Sequence, residues 1–150
     1  MTPPLRDIHH VKLPVTDLTR SIDFYTAVFD AHRLTEADHL DDDGRLYAVI
    51  LRVPGLSPLV ELRLDPEQAA AHAGFDPLTL AVDDRAALEQ WAAHLDHLGV
   101  EHSDQITAIQ AWLVVFADPD GTRLRLYTLE QHGPELPTNV DDSWITRPRT

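Results

Sequence analysis

The chain has 150 residues, 43% of them hydrophobic, which suffices for one domain, or two small subdomains sharing a core, and argues against global disorder. No apolar run approaches the ~18 residues of a membrane-spanning helix, and residues 1–6 contain two prolines, so neither a membrane span nor a secretory signal is expected. The absence of cysteine excludes disulfides, thiolate zinc sites and thiol nucleophiles. The formal net charge of −13 argues against nucleic-acid binding, because phosphate binding needs a basic surface. A cytoplasmic location is the default expectation.

The first half of the chain has the pattern of one strand, one helix and three strands. Alternating apolar and β-branched residues predict a strand over residues 8–15. Asp17 offers N-cap chemistry, and apolar side chains spaced three and four apart predict a helix over residues 18–29. The predicted buried stripe of this helix consists of Leu18, Ile22, Tyr25 and Phe29. Three extended segments follow, with turn residues between them, at 32–40, 45–53 and 58–64.

The same order of elements then repeats with a period of about 70 residues. Residues 65–76 are predicted to form a linker with one or two helical turns. The predicted elements of the second half are a strand at 78–82, a helix at 85–98, and strands at 100–107, 111–117 and 122–129. Residues 130–150 lack periodicity, so they are predicted to form a C-terminal arm that either wanders or packs on a neighbour, with Trp144 and Ile145 as anchors.

These patterns predict an α+β fold made of two βαβββ modules. We expect one domain over residues 1–150, with module 1 at about 7–64 and module 2 at about 77–129. Each half alone is a small sheet with a single helix, which cannot bury both faces of the sheet. The two halves must therefore pair, either within one chain or across a dimer.

Two motifs at the ends of this pattern resemble those of the vicinal oxygen chelate superfamily, which includes glyoxalases, bleomycin-resistance proteins and extradiol dioxygenases. Residues 10–25 resemble the motif H-x-x-L-x-V-x-D-L-x-x-S-x-x-F-Y, and residues 116–126 resemble F-x-D-P-D-G-x-x-x-E-L. The resemblance covers about residues 7–129. It implies two βαβββ modules whose mixed sheets curl into a cup that holds a small molecule.

The resemblance also implies a metal site of which this chain has half. Many members hold a divalent metal through a histidine on the first strand and a glutamate on the last strand of each module. His10 and Glu61 match these positions in the first module, whereas Pro77 and Arg125 occupy them in the second. Proline has no ligand atom and arginine is a permanent cation, so no metal cofactor is expected. A divalent metal bound by His10, Glu61 and water is the alternative.

Strand alternation predicts which side chains face the cup. The predicted ligand-binding residues are His10, Lys12, Glu61, Arg63, Thr79, Trp112, Arg123, Arg125 and Tyr127. Their excess of cations over one carboxylate predicts a ligand with an anionic or polar group. Trp112, together with Phe116, either lines the cup as an apolar wall or packs in the core.

Several roles stay open for the polar residues of this set. His10 and Glu61 form a residual metal pair, an acid–base or ligand-contact couple, or an inert hydrogen-bonded pair. Arg125 either pairs with Glu61 and so closes a vestigial site, or receives an anionic group of the ligand.

The leading functional hypothesis is a metal-independent small-molecule binding protein of the bleomycin-resistance type, whose ligand has an aromatic part and an anionic or polar group. The alternative is an enzyme, a lyase, isomerase or dioxygenase, with His10 and Glu61 as candidate catalytic residues. A regulatory module with a vestigial cup is a third possibility. Nucleophile-elbow and phosphate-loop motifs are absent from the sequence. We expect a homodimer, because short chains of this superfamily usually complete their cups in that way.

Overall fold

The computed structural model describes residues 1–139 and 141–145 and divides the chain into two units. The first unit is Met1–Ala71 and the second begins at His72, so the division falls within the segment 65–76. Among the described residues, each unit contains a mixed β-sheet and a helix of at least 12 residues. The α+β class with two mixed sheets is thus confirmed.

The first unit follows the predicted order of elements. They are β1 (His10–Val15), α1 (Leu18–Phe29), β2 (His32–Arg33), a 3-10 turn (Thr35–Ala37), β3 (His39–Leu40), β4 (Leu46–Arg52) and β5 (Leu59–Leu64). The strand order is β1-β5-β4-β2, with β3 also paired to β4; β1 and β5 are parallel, and the other pairs are antiparallel. In this register Lys12 lies opposite Glu61, so both side chains project from the same face of the sheet.

Helix α1 begins at the predicted cap. A side-chain oxygen of Asp17 accepts a hydrogen bond from the backbone N–H of Arg20 at 3.0 Å. The helix packs against β4 and β5, and its buried residues are Ser21, Tyr25, Val28 and Phe29. Leu18 and Ile22 are only half-buried, so the buried stripe is rotated from the predicted one by part of a turn.

The second unit repeats this arrangement after a short helix, α2 (Pro66–His72). Its elements are β6 (Leu78–Val82), α3 (Arg85–His97), β7 (Ile106–Thr107), β8 (Trp112–Ala117) and β9 (Arg123–Thr128). The strand order is β6-β9-β8-β7, with β6 and β9 parallel. Asp84 caps α3 by accepting from Ala87 N–H at 2.9 Å, and α3 packs against β8 and β9.

Two predicted strands are largely wrong. The segment 32–40 consists of β2 and β3 separated by the 3-10 turn, because both lie at the edge of the sheet and pair only with β4. In the segment 100–107, regular pairing is limited to β7, together with an isolated bridge between His102 and Phe116. Helix α3 also ends at His97, one residue before the predicted end, and Leu98 is 37% exposed, whereas Leu88 and Leu95 are the buried residues of the helix.

The described part of the C-terminal arm packs on the sheet of the second unit. Ile106, Leu113 and Val115 form a buried apolar cluster, and Trp144 and Ile145 pack against it. The two predicted anchors therefore do contact apolar residues, and they belong to the same unit. The prediction for residue 140 and residues 146–150 lies outside the described residues. No helix in the described part of the chain is long and apolar enough to cross a membrane.

Candidate functional site

A buried carboxylate organises the polar residues of the first unit. The side chain of Glu61 is 3% exposed, and its Oε2 accepts a hydrogen bond from Nε of Arg63 at 2.7 Å. Nζ of Lys12 lies 3.9 Å from the same oxygen. Burial of a charge is costly unless it is paired, and here two permanent cations compensate one anion. Lys12, Glu61 and Arg63 therefore lie together, on adjacent strands as alternation indicates.

Two histidines approach the other oxygen of this carboxylate. Nε2 of His10 and Nε2 of His39 each lie 3.8 Å from Oε1 of Glu61, which is beyond hydrogen-bond distance. His39 is oriented by a 2.9 Å hydrogen bond between Nδ1 and the carbonyl oxygen of Ala37, and its ring packs edge-on against Tyr47. The guanidinium of Arg63 also lies over the Tyr47 ring, at 5.3 Å.

The described residues do not fit the four-ligand metal site of the superfamily. Pro77 offers no donor atom, and Arg125 pairs with Asp76 in the second unit. No group of three or more histidine, aspartate or glutamate side chains in the described ranges is arranged to hold a metal ion. Around Glu61, Arg63 and Lys12 would compete with a metal ion for the carboxylate. Metal independence stays a prediction.

The second unit contains a largely apolar cavity of about 300 Å³. It lies between the sheet and the C-terminal arm, and its lining residues are Ile106, Thr107, Ala108, Ile109, Leu113, Arg125, Tyr127, Thr138, Asn139 and Ile145. Asn139 fixes the arm at the cavity wall, because its side-chain oxygen accepts from Thr107 N–H and its own N–H donates to Thr107 O at 2.9 Å. This is the concave, apolar kind of site that binds small organic molecules.

Arg125 provides the charged group of this cavity. Its Nε forms an ion pair with a carboxylate oxygen of Asp76, and both side chains are mostly buried. Thr79 lies beside Arg125 in register on β6, on the same face of the sheet. Because Asp76 balances the guanidinium, the cavity wall is polar at this point without excess charge. The pairing of Arg125 with Glu61 stays a prediction.

Two of the predicted ligand-binding residues, Arg123 and Trp112, do not line this cavity. Nη1 of Arg123 donates to the carbonyl oxygen of Trp144 at 2.9 Å, and its guanidinium lies 5.4 Å from the centre of the Trp144 ring. Trp112 alternates with Leu113 and Val115, so it lies on the opposite face of β8 from the apolar cluster. Arg123 therefore fastens the arm, and Trp112, although paired with Thr107 across β7 and β8, is not among the residues that line the cavity.

Trp112 instead lies between the side chains of Arg85 and His132. The Arg85 guanidinium is 4.7 Å from its ring centre, and the His132 ring is 5.0 Å away. Nδ1 of His132 lies 2.7 Å from Gly133 O and Nε2 lies 2.8 Å from Ala108 O. The hydrogen bond to Gly133 chiefly, with those to Ala108 and Ala111, raises the pKa of His132 above its usual value.

Sequence reasoning missed three contributors to these sites. His39 reaches Glu61 only because the edge strand is interrupted before it, which periodicity does not reveal. Asp76 lies just before β6. Because β6 pairs in parallel with β9, Asp76 lies near Arg125, and a prediction of that pairing would have placed the two residues together. The C-terminal arm carries cavity-lining residues at Thr138, Asn139 and Ile145, although it has no periodic pattern.

Comparison with known protein families identifies the superfamily of this chain. Residues 7–126 match the model of the Glyoxalase/Bleomycin resistance protein/Dioxygenase superfamily. The chain therefore belongs to this superfamily, as the two motifs indicate. No curated protein matches the sequence.

Several solved structures share the fold at low sequence identity. An antibiotic binding protein, TnmS3 from Streptomyces sp. CB03234, is 20% identical with a TM-score of 0.65, over 85% of this chain and 98% of that one. The fosfomycin resistance protein FosX from Listeria monocytogenes is 15% identical with a TM-score of 0.66, over 85% and 96%. Lactoylglutathione lyase from Agrobacterium tumefaciens is 18% identical with a TM-score of 0.62, over 84% and 96%. At these identities the similarity shows the fold alone.

Proposed function

We propose that the protein is a metal-independent small-molecule binding protein, and that the cavity of its second unit takes an organic ligand. The observation that carries this proposal is the cavity itself, whose volume of about 300 Å³ lies at the lower end of the range for ligand pockets. A cavity of this size suits a compact aromatic or alicyclic body. The antibiotic-binding function of TnmS3, a protein of the same fold, is consistent with this proposal.

The lining predicts the chemistry of the ligand. Ile106, Leu113 and Ile145 would contact an apolar body, while the guanidinium of Arg125 and the hydroxyl of Tyr127 would bind its polar group. Asp76 already neutralises Arg125, so a polar or singly charged group suffices and a multiply charged one is disfavoured. The ligand is therefore an aromatic compound with one hydrogen-bonding or anionic substituent.

The test is a calorimetric titration with a panel of bicyclic aromatic compounds, each in a neutral and a carboxylate form. Ile109 lines the cavity yet is 79% exposed, so Ile109→Trp would crowd the mouth without overpacking the core. We expect this variant to bind at least about tenfold more weakly. Leu129→Trp is the matched control, because Leu129 is 67% exposed and outside the lining. Binding that is absent across the panel, or that survives Ile109→Trp unchanged, contradicts the proposal.

Metal independence and the enzyme alternative need separate measurements. Binding that persists after dialysis against a chelator supports metal independence, and binding restored only by Mn²⁺ or Ni²⁺ contradicts it. The enzyme alternative instead uses His10 and Glu61 of the first unit as acid and base, and there Glu61→Gln abolishes turnover of the substrate. The hydrogen bond from Arg63 already occupies Oε2 of Glu61, and this favours the binding protein over the enzyme.

We further propose a homodimer in solution. Light scattering on the purified protein is expected to give twice the chain mass of 16.9 kDa. A single-chain mass at micromolar concentration would show that pairing across two chains is not required.

A further inference from the structure

We propose that the first unit carries a second binding site, for a small oxyanion (a carboxylate or phosphate group), formed by Lys12 and Arg63 above the buried carboxylate of Glu61. This site is separate in its residues from the cavity of the second unit and does not depend on it. Charge, burial and unused hydrogen-bond donors all point to this site.

The cluster has more permanent positive than negative charge. Lys12 and Arg63 carry one positive charge each, and Glu61 is the carboxylate that they share, so the sum is +1. The charges are also layered. Glu61 is 3% exposed, whereas the side chains of Lys12 and Arg63 are 50% and 34% exposed. A solute that approaches this face therefore meets the two cations before the anion.

The cations keep donors that Glu61 does not use. Nζ of Lys12 is 3.9 Å from Oε2, too far for a hydrogen bond, and among the described residues it has no other hydrogen-bond partner. Arg63 donates to the carboxylate through Nε, and among the described residues its two Nη groups form no hydrogen bond. The ring of Tyr47 packs against the guanidinium of Arg63 and so helps to hold it in place. An oxyanion accepts from several such donors at once.

Two further side chains border the opening. Nε2 of His10 and of His39 face the Oε1 side of Glu61 without a hydrogen bond to it. Both rings are more than 30% exposed, so they provide polar walls at the edge of the proposed site.

A lysine at position 12 is unusual for this chain, whose other basic residues with a permanent charge are all arginines. Lys12 is the single lysine of a protein with 11 arginines and a net charge of −13. This one flexible ammonium group lies where the sheet presents a surplus of positive charge. Its neighbour is the guanidinium of Arg63, which Glu61 and Tyr47 hold in place.

The uniqueness of Lys12 provides a direct assay. In protein labelled with ¹³C-lysine, the side-chain Cε signal reports this residue alone, and backbone amide signals of β1 and β5 report variants that lack it. We would titrate inorganic phosphate and acetate separately at constant ionic strength, with acetamide as the neutral control. The expected result is a saturable shift with phosphate, acetate or both, and none with acetamide. The anion with the higher affinity identifies the group recognised.

Three variants separate a built site from general electrostatics. Lys12→Gln should weaken anion binding at least about fivefold, because a charged hydrogen bond is lost. Arg45→Gln removes the same charge from an exposed position of the first unit and should leave the affinity nearly unchanged. Glu61→Gln raises the charge of the cluster from +1 to +2 and should tighten binding about threefold or more.

The opposite outcomes overturn the proposal. No saturable shift at tens of millimolar anion would show that the cations are only counterions of Glu61. Equal weakening in Lys12→Gln and Arg45→Gln would reduce the effect to general charge. Weaker anion binding in Glu61→Gln, together with Mn²⁺ binding that this variant loses, would instead show a metal site. Ile109→Trp should not affect anion binding, so failure of this proposal and failure of the cavity proposal are distinguishable.

Discussion

Asp118 organises the turn that joins β8 to β9. Its Oδ1 accepts from the backbone N–H groups of Asp120 at 2.9 Å and Thr122 at 3.1 Å, and its residue is 5% exposed. Its backbone N–H also donates to Thr122 O at 2.8 Å. The turn fixes the start of β9, and through it the position of Arg125.

Loss of this carboxylate should destabilise the protein. We expect Asp118→Ala to lower the free energy of unfolding by about 1–3 kcal/mol, because buried N–H groups lose their acceptor. Asp118→Asn keeps one side-chain oxygen and should cost less. Urea unfolding at one pH measures both variants. Equal losses in the two variants would show that the negative charge, and not the acceptor, is what matters.

Also at the scale of single residues, the sequence predicted the sheet face on which a side chain lies better than it predicted the contact partner of that side chain. Lys12, Glu61 and Arg63 share a face because alternation along a strand is a local property, which the sequence carries directly. Asp76 as the partner of Arg125 depends on which strands pair, and His39 beside Glu61 depends on an interrupted edge strand. Such contacts join residues far apart in sequence, so composition and spacing do not reveal them.

At the scale of elements, the C-terminal arm forms part of the proposed cavity wall. His132 fastens its beginning, since both ring nitrogens face carbonyl oxygens at 2.7 and 2.8 Å. A neutral imidazole donates only one hydrogen bond, so both contacts are satisfied by the protonated ring alone. The raised pKa of His132 agrees with this requirement.

This contact should make the stability of the protein depend on pH. A raised folded-state pKa means that the stabilisation is fully present below the ordinary histidine pKa of about 6.5 and is lost as pH rises through the raised value. We expect the difference in unfolding free energy between wild type and His132→Gln to shrink from pH 5.5 to pH 8.5. Urea unfolding at several pH values measures this difference. A difference that grows with pH would contradict the assigned hydrogen bonds.

The helices were predicted well because their signals are local. Asp17 caps α1 at the predicted position, α1 has the predicted bounds, and α3 begins at the predicted residue, where Asp84 caps it. Edge strands were predicted poorly, because a short strand is defined by one neighbour and not by its own pattern. The packing of Trp144 and Ile145 on the apolar cluster shows that aperiodic segments can still be anchored.

At the scale of the whole molecule, self-repulsion follows from the charge of −13. We expect the melting temperature to rise between about 20 and 200 mM sodium chloride, as salt screens the surplus of carboxylates. Asp42 and Arg45 are exposed in the same hairpin region, so they provide paired variants. Asp42→Lys should stabilise the protein at low salt and Arg45→Gln should destabilise it. A melting temperature independent of salt in all three proteins would contradict this account.

The duplicated βαβββ order was evident in the sequence, since turn residues and periodicity recur in both halves. The location of the cavity was not, because its wall includes an arm without a pattern and a loop at 108–109. The number of ligands at the superfamily's metal positions was evident, as Pro77 and Arg125 are read directly from the sequence. Pairing of the two halves stays a prediction.

The solitary lysine has a practical consequence for anyone who handles this protein. Amine-directed reagents, such as those used to couple proteins to sensor surfaces or to attach fluorophores, have only Lys12 and the chain's α-amino group to react with. Coupling through Lys12 would bury or neutralise the very ammonium that we assign to anion binding. Attachment through a cysteine introduced at exposed Asp42 would avoid this, because the chain has no other thiol.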